Sequence, residues 1–329
     1  MKKQKFFLGM SITLALSCIA SPWALAAGYP DKPVRLIVPY PPGGNLDTTA
    51  RAIANAMSKS LNQTMVVENI GGAGGSIGSA NVARAQPDGY TLLATTLVPL
   101  VVNPTLMPSV KTTLNDFSVV GMMAVVPSVV AINTKQASQV KREDFKSWLE
   151  HARANPGTVS VGHSGNGTTN HIIAAQIERQ FDVQFNNVPY RGSAPAVTDL
   201  LGGQIDAIVD QLTSSQPHIA SGNFTALAVT GAKRAPGLPE VATIAELTGS
   251  DFDFVTYSAI LAPEGTPENI RNILNKALQE AATDQSVRKQ LDAVGAQTVP
   301  ASLPDASQLI AQEQKKLQAI IDAGLIKKE

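Results

Sequence analysis

Short apolar runs alternate along the chain with stretches whose apolar residues recur every three or four positions. Val34–Val38 is an apolar run that predicts a buried strand, and residues 64–68 and 90–94 predict two more. Between these runs, the apolar spacing predicts a helix over residues 50–61 and a shorter helix around Val82. This order of strand, helix, strand, helix, strand is typical of a parallel sheet covered by helices.

The same order is repeated in a second unit that begins near Val129. Its predicted elements are a helix over 145–152, a strand over 159–162, a helix over 172–181, a strand ending at 188–190, a helix over 196–201 and strands over 205–209 and 225–229. A long strand is then predicted over 252–261, and three helices over 270–277, 287–294 and 308–320. Both units are therefore expected to be α/β.

Two apolar runs flank the second unit, at residues 125–132 and 255–261. They predict two strands that connect this unit to the first, so we predict an α/β fold of two lobes with one lobe inserted into the other. Lobe 1 would comprise residues 27–128 and 255–329, and lobe 2 would comprise residues 129–254. Because parallel α/β sheets bind ligands at the carboxyl ends of their strands, two facing lobes predict a ligand cleft with a hinge.

Residues 1–26 have the features of a secretory signal peptide. Three lysines among the first five residues precede an apolar segment over residues 6–20, and Ala24-Leu25-Ala26 supplies a cleavage site of the A-x-A type. The apolar segment is short and contains Ser and Thr, which disfavours a membrane anchor. A lipoprotein anchor at Cys18 is disfavoured because the preceding residues match a lipobox poorly. We predict export and cleavage after Ala26.

Composition excludes several functional classes. The chain has 329 residues, of which 44% are hydrophobic, and its formal net charge is zero. A nucleic-acid-binding protein usually has a basic excess, so no nucleic-acid partner is expected. The single cysteine, Cys18, excludes a disulfide framework and a cysteine-based zinc site, and the four histidines lack the spacing of a helical zinc site. We expect no metal and no cofactor.

A loop at residues 39–47 joins the first predicted strand to the first helix. Gly43 and Gly44 allow a ligand to approach the backbone, and Asn45 or Asp47 is placed to cap the helix. Free N–H groups and the helix dipole favour an anion at such an N-terminus. A tight turn followed by an N-cap is the alternative interpretation of the same residues.

A second loop, residues 163–170, is rich in hydroxyl and amide side chains, which can hold a carboxylate without adding a charge. A serine hydrolase that uses Ser164 is the alternative, but a G-x-S-x-G motif requires glycine where Asn166 stands. A third loop, residues 71–78, fits neither nucleotide-binding motif because Ile77 replaces a required glycine and the P-loop lysine is absent. Close packing of a helix against a strand is favoured for this third loop.

Five segments of the chain occur in a recognisable order. They are YPDKPVRLIVPYPPGGNLDTTAR, GGAGGSIGSANVARAQPDGYTLL, HSGNGTTNH, VPYRGSAPAVTDLLGGQIDAIVD and LPEVATIAEL followed by APEGTP. In this order and spacing the chain resembles the Bug family, the extracytoplasmic solute receptors of tripartite tricarboxylate transporters. The resemblance covers the whole chain after residue 26. Two positions depart from the family pattern: Ile70-Gly71 replaces an Arg-Pro pair, and Tyr257 replaces a tryptophan.

The resemblance implies a periplasmic binding protein of type II, whose two α/β lobes close on a ligand as a Venus flytrap. It implies a small carboxylate ligand, such as a di- or tricarboxylate, an acidic amino acid or an aromatic acid, held largely by backbone amides, hydroxyls and waters. The implied partners are the membrane permease subunits of the transporter. A sensor subunit that signals to a membrane kinase is the alternative role.

Matched by motif, the resemblance also implies a set of ligand-binding residues. They are Tyr40, Gly43, Gly44, Asn45, Thr95, Thr96, Ser164, Thr168, Thr169, Arg191, Gly192, Ser193 and Asp210. Because Asp210 would repel a carboxylate, it is expected to bind an amine or hydroxyl, to orient water or to pair with Arg191. Replacing Ser164 and Thr168 by alanine is expected to weaken binding and to leave the thermal midpoint of the ligand-free protein nearly unchanged.

Overall fold

A computed structural model describes residues 28–136 and 144–324, so the predicted signal peptide and its cleavage site lie outside the described residues. The first strand, β1 (Val34–Val38), shows how the core forms. Leu36 and Val38 pack into one hydrophobic cluster, and Ile37 packs into a second cluster on the other face of the sheet. Because helices cover both faces, four of the five residues are apolar and buried, and Arg35 alone is exposed.

Most predicted elements are confirmed to within a few residues. The further strands are β2 (Met65–Asn69), β3 (Thr91–Thr96), β4 (Phe117–Asn133), β5 (Ser160–His163), β6 (Asn186–Pro189), β7 (Ala207–Gln211), β8 (Phe224–Val229), β9 (Val255–Pro263) and β10 (Gln297–Thr298). The helices are α1 (Asn45–Leu61), α2 (Ser76–Ala83), α3 (Val98–Val101), α4 (Asn103–Leu106), α5 (Phe145–Ala154), α6 (Thr169–Phe181), α7 (Ser193–Leu201), α8 (Leu212–Ala220), α9 (Ile244–Thr248), α10 (Glu268–Thr283), α11 (Gln285–Asp292) and α12 (Leu303–Asp322).

The first sheet combines strands from early and late parts of the chain. Its order is β2-β1-β3-β9-β4, and β10 pairs with β4. β1 is parallel to β2 and β3, whereas β9 is antiparallel to both β3 and β4. The parallel strands β1 and β3 end at the same edge of the sheet, at Val38 and Thr96.

The second sheet has the order β6-β5-β7-β4, and β8 also pairs with β4. β5 is parallel to β6 and β7, and β4 is antiparallel to β7 and β8. β5 and β7 end at His163 and Gln211, at the edge that faces the first sheet. The predicted α/β fold with two lobes is therefore confirmed.

Strand β4 belongs to both sheets. Residues 117–127 pair with β9, and residues 128–133 pair with β7 and β8. Pro127, which interrupts the apolar stretch in the sequence, lies where the strand passes from one sheet to the other. A proline is tolerated at such a change of pairing because no ladder bond from its nitrogen is needed there. The chain returns to the first sheet at Phe254 and Val255.

The buried residue Thr230 joins the two connecting segments. Its hydroxyl donates to the Phe254 carbonyl at 2.6 Å and accepts from the Ser128 N–H at 2.9 Å. Its backbone N–H donates to the Ser128 carbonyl at 3.0 Å, and its carbonyl accepts from the Phe254 N–H at 2.7 Å. One side chain therefore bonds to both segments at the place where they pass between the sheets. The lobe boundaries after residues 128 and 254 stay a prediction about which parts move together.

The sequence pattern does not predict α3, α4, α8, α9 or β10. α3 and α4 have four residues each and carry a proline in the first turn, and α8 contains Pro217. Such short or proline-containing helices show too few apolar repeats to give a helical period. The strand predicted from Phe252 begins at Val255 instead, because Phe252 and Phe254 are buried in the core ahead of the ladder. Within the described residues, no helix combines the length and apolar composition that crossing a bilayer requires.

Candidate ligand-binding site

A cavity of about 50 Å³ lies between the facing edges of the two sheets. Most of the predicted site residues line it: Tyr40, Gly44, Asn45, Thr96, Ser164, Thr168, Thr169, Arg191, Gly192 and Ser193. The lining also includes Asp47 and Ala194, and residues that the sequence did not single out as contacts: Pro41, Pro42, Leu46, Pro195 and Gln211. The N-termini of α1, α6 and α7 therefore meet at this cavity.

Helix α1 presents uncapped N–H groups to the cavity. Gly44 is its N-cap residue, and no side chain caps its first-turn N–H groups. The expectation that Asn45 or Asp47 caps the helix is therefore wrong. The Asp47 carboxylate accepts instead from the N–H of Gly43, at 2.9 Å. First-turn N–H groups have no acceptor within a helix, so those of residues 45–47 are available to a ligand.

The Asp47 carboxylate lies in the cavity wall, but its charge is compensated. Arg51 forms an ion pair with it at 2.9 Å, and the Asn69 amide donates to it at 2.9 Å. Burial works against ionisation of Asp47, yet the bonds from Arg51, Gly43 and Asn69 outweigh burial and lower its pKa. Asp47 is therefore a paired anion that contributes little negative potential to the cavity.

Thr168 caps helix α6 and holds the loop before it. Its hydroxyl oxygen accepts from the His171 N–H at 3.4 Å and donates to the Gly165 carbonyl at 2.6 Å. The Ser164 hydroxyl donates to the Thr168 hydroxyl at 3.0 Å. In the first turn of α6 this cap satisfies the N–H of His171, and Thr168 and Thr169 both line the cavity. Thr168 thus has a structural role besides its place in the lining.

Gly192 begins helix α7 at a point where the two lobes touch. Its φ of +112° is a conformation that L side chains rarely adopt. No side chain caps α7, so its first-turn N–H groups are also available. A Cβ atom at Gly192 would lie 3.4 Å from the ring of Pro41, which belongs to the loop after β1. The glycine is therefore needed for the backbone conformation at the helix start, whereas a Cβ atom at this distance from Pro41 would make an ordinary van der Waals contact.

Asp210 lies behind the cavity and is not part of its lining. Its carboxylate accepts from four side chains, those of Ser193 (2.6 Å), Ser214 (2.5 Å), Ser215 (2.9 Å) and Asn170 (3.1 Å). Burial raises the pKa of Asp210, against the opposing effect of the hydroxyl donors. The carboxylate thereby ties together the first turns of α6, α7 and α8.

Two other predicted residues, Gly43 and Thr95, also lie outside the lining. Gly43 bonds to Asp47, as described above. Thr95 pairs with Ala259 in the ladder between β3 and β9, and its hydroxyl donates to the Thr96 carbonyl at 2.9 Å. For all three residues outside the lining, ligand contact stays a prediction.

The two lobes contact each other around the cavity. The Asn45 amide donates to the side-chain oxygen of Gln211 at 2.5 Å, which joins the first turn of α1 to the end of β7. Gly74 packs against the backbone oxygens of Asn166 and Gly167, so closely that a Cβ atom there would lie 2.6 and 2.8 Å from them. The cleft is therefore closed in this structure.

The cavity wall offers one cation and several neutral polar groups. Arg191 is exposed, and the ion pairs of the described residues do not include it. Its proposed pairing with Asp210 is accordingly not observed. Burial raises the pKa of Tyr40 to about 12, so its hydroxyl is neutral near pH 7. Two buried lining atoms, Thr96 Oγ1 and Asn45 Oδ1, have no hydrogen-bond partner among the described residues.

His163 and His171 stack beside the second loop, with ring centroids 5.0 Å apart. Their Nδ1 atoms accept from the N–H groups of Gly165 and Gly167, at 3.2 and 3.3 Å. Burial, and then the neighbouring His171, lowers the pKa of His163 to about 4, so His163 is neutral near pH 7. Both rings thus orient the loop, and the Ser164 hydroxyl described above donates to a threonine rather than to a histidine base.

Comparison with known proteins identifies the family. Residues 49–325 match the profile of the tripartite tricarboxylate transporter family receptor, TctC. The chain is 35% identical over 314 residues to the protein BugT of Bordetella pertussis, and the match covers 95% of each chain.

Solved structures have the same fold. The periplasmic binding protein BugD superimposes with a TM-score of 0.81 at 33% identity, over 92% of this chain and 100% of that one. MatC of Rhodopseudomonas palustris with bound malate gives 0.80 at 29% identity, over 88% and 97%. Rpa4515 of R. palustris with adipate gives 0.83 at 29% identity, over 89% and 97%. The chain therefore belongs to the TctC family, together with the Bug proteins, and is a periplasmic solute-binding receptor rather than an enzyme.

Proposed function

We propose that this receptor binds a small carboxylate in the cavity between its lobes and delivers it to the membrane permease of a tripartite tricarboxylate transporter. The observation that carries the proposal is the meeting of three helix N-termini, those of α1, α6 and α7, at one cavity. α1 lies in one lobe and the other two helices in the second lobe. A ligand with negative oxygens is thus favoured from both sides of the cleft.

The electrostatics of the lining support an anion. Each helix N-terminus carries a partial positive charge and free N–H donors, and an anion there gains about 0.3–1 kcal/mol, or up to about 2 kcal/mol where partly buried. Arg191 adds a full positive charge at the wall, and the negative charge of Asp47 is compensated by Arg51. Thr96 and Ser164 add hydroxyl groups, which suit a carboxylate that is also bridged by water.

The family supports a carboxylic acid in particular. The neighbouring receptors MatC and Rpa4515 hold malate and adipate, respectively, and both ligands are dicarboxylates. The helix N-termini on both sides of the cleft suit the carboxylate group that these two ligands share. Di- and tricarboxylates, acidic amino acids and aromatic acids all share the chemistry that this lining recognises, so the proposal names the carboxylate group as the recognised feature.

Binding is proposed to stabilise the closed arrangement of the lobes. Residues 129–254 would move against residues 27–128 and 255–329, with the bends at the two connecting segments beside Thr230. A ligand shifts such an equilibrium only through its better contacts in one state. A carboxylate held by α1 on one side and by α6 and α7 on the other has those contacts only when the cleft is closed.

The amino-terminal residues support the proposed location. Residues 1–26 have the pattern of a cleaved signal peptide, so we propose that the mature receptor begins after Ala26 and acts in the periplasm. The permease subunits of the transporter would then recognise the closed, loaded receptor at the membrane surface.

A thermal-shift screen of residues 27–329 tests the proposal. The protein is first unfolded and refolded, which removes any copurified ligand. The panel contains di- and tricarboxylates, acidic amino acids, aromatic acids, sugars and metal cations. A ligand at 100 times its Kd stabilises the folded state by about 2.7 kcal/mol, a shift of about 4 °C for a chain of this length. We expect shifts with carboxylates alone, and shifts confined to sugars or cations would contradict the proposal.

A further inference from the structure

A larger groove opens directly from the ligand cavity. It has a volume of about 660 Å³ and shares part of its wall with the cavity, at Tyr40, Pro41, Ser164, Arg191 and Gly192. Its remaining wall comes from the loop at residues 71–75, from the loop at residues 165–166, and from Met107, Pro189 and Tyr190. The first part of the glycine loop, residues 71–75, therefore lines a groove. Gly78 packs closely against the backbone, as the sequence predicts, because a Cβ atom there would lie 2.5 Å from the Ile70 carbonyl oxygen.

The two spaces differ in what they can hold. A buried water needs about 10–15 Å³ by the same measure, so the inner cavity of about 50 Å³ has room for about four water-sized groups. That is enough for a carboxylate and the carbon that bears it, but an aromatic ring or a longer alkyl chain would have to extend outward. The groove of about 660 Å³ adjoins the inner cavity at the residues that the two walls share.

The groove wall is chemically unlike the inner cavity. Apart from Arg191, which stands at the junction, every residue of its wall is uncharged. Met107, Tyr190, Pro41 and Pro189 offer apolar surface, and the glycine loop adds width because it carries almost no side chains. A second carboxylate far out in this groove would have no cation beside it, whereas an apolar group would lose its water against apolar neighbours.

We propose that the ligand carries an uncharged tail, an aromatic ring or an alkyl chain, which occupies this groove while its carboxylate lies in the inner cavity. The inference rests on the proposed function and narrows it to tailed carboxylates. Arg191, at the junction, would contact the carboxylate from the side where the tail leaves. Burial of the tail supplies affinity because apolar surface contributes about 25 cal/mol per Å² removed from water.

Calorimetric titration of the refolded protein with four acids tests the inference. The probes are butyrate as a short carboxylate, phenylacetate and octanoate as tailed carboxylates, and adipate as a chain that ends in a second charge. We expect both tailed acids to bind at least about tenfold more tightly than butyrate and adipate. Equal affinity for all four acids, or the tightest binding with adipate, would overturn the inference and leave the proposed function standing. Binding of none of these acids or other carboxylates would overturn both.

Two variants test whether the tail of the ligand lies in the groove. Asn166→Phe and Met107→Phe each put a ring into the groove and leave the inner cavity unchanged, since neither residue lines it. We expect each variant to lose about tenfold or more in affinity for phenylacetate and to keep its affinity for butyrate. Asn55→Phe, on an exposed position of α1 away from the cleft, is the matched control and should bind all four acids as the parent does. A phenylacetate affinity that survives in both folded groove variants would show that the tail lies elsewhere.

Discussion

Thr168 shows how one hydroxyl can serve both the shape of a binding loop and its surface. It lines the cavity, but it also caps α6 and bonds to Gly165 and Ser164 of the preceding loop. The residue types in this loop predicted polar contacts to a ligand. They did not indicate the cap, because the same hydroxyl satisfies either a ligand or a helix end and only the start of α6 decides between them.

Thr168→Ala is expected to destabilise the ligand-free protein, contrary to the expectation from the sequence. Loss of an N-cap hydroxyl costs about 1 kcal/mol, which corresponds to a fall of about 2 °C in the midpoint of a chain this long. Chemical denaturation of the ligand-free protein measures the change. Thr168→Ser keeps the hydroxyl and is the control, so a loss of similar size in both variants would contradict the capping role.

The sequence could not predict which of two neighbouring side chains, Asp210 or Gln211, lines the cavity. Both follow the apolar part of β7, and the family resemblance predicts that Asp210 is the one that contacts the ligand. Neighbouring residues of a strand point to opposite faces, and here Gln211 faces the cavity while Asp210 faces the helix starts behind it. Alternation predicts that only one of them lines the cleft, but which one depends on the packing of α6, α7 and α8.

The connecting segments are the elements on which the two-lobe arrangement depends. They cross between the sheets side by side, and the hydroxyl of the fully buried Thr230 bonds to both. A buried hydroxyl with one donor bond and one acceptor bond holds the segments at a fixed spacing. If the lobes rotate as proposed, we expect the bends to lie on either side of this residue.

Thr230→Val tests this linkage with little change of side-chain shape. The variant leaves the Ser128 N–H and the Phe254 carbonyl without their hydroxyl partner in a buried place, which costs about 1–3 kcal/mol. Denaturant unfolding measures the loss. Thr283→Val, which removes an exposed hydroxyl at the end of α10, is the matched control and is expected to change stability by less than about 0.5 kcal/mol. Equal stability of the two variants would contradict the role given to Thr230.

The secondary structure elements could be predicted to the extent that their apolar pattern is local. β1 was predicted from a short run of apolar residues, and α1 and α10 from apolar residues that repeat with a helical period. The pattern could not predict that β4 would remain one strand through Pro127, since this depends on β9 and β7, which pair with it from distant parts of the chain. For the same reason it could not predict the short helix α3.

At the scale of the whole molecule, the two sheets present the carboxyl ends of their parallel strands to each other. This arrangement follows from the repeated α/β order, and it was predicted from the sequence together with the family resemblance. The carboxyl-terminal helix contacts more than the lobe to which the predicted boundaries assign it. α12 belongs by sequence to the first lobe, yet the Arg179 guanidinium of α6 donates to the Gly324 carbonyl beyond its end at 3.1 Å. The last helix therefore contacts the second lobe as well.

The central claim is that helix N-termini from both lobes, without a side-chain cap in α1 and α7, recognise a carboxylate. The most direct measurement is calorimetric titration of the refolded receptor with the acid that gives the largest thermal shift and with the primary amide of the same acid. The amide has nearly the same shape, but it lacks the charge and directs N–H donors at the N–H donors of α1, α6 and α7. We predict that the amide binds about a hundredfold more weakly, as expected when charge-assisted hydrogen bonds are lost. Equal affinity for the acid and the amide would contradict the account.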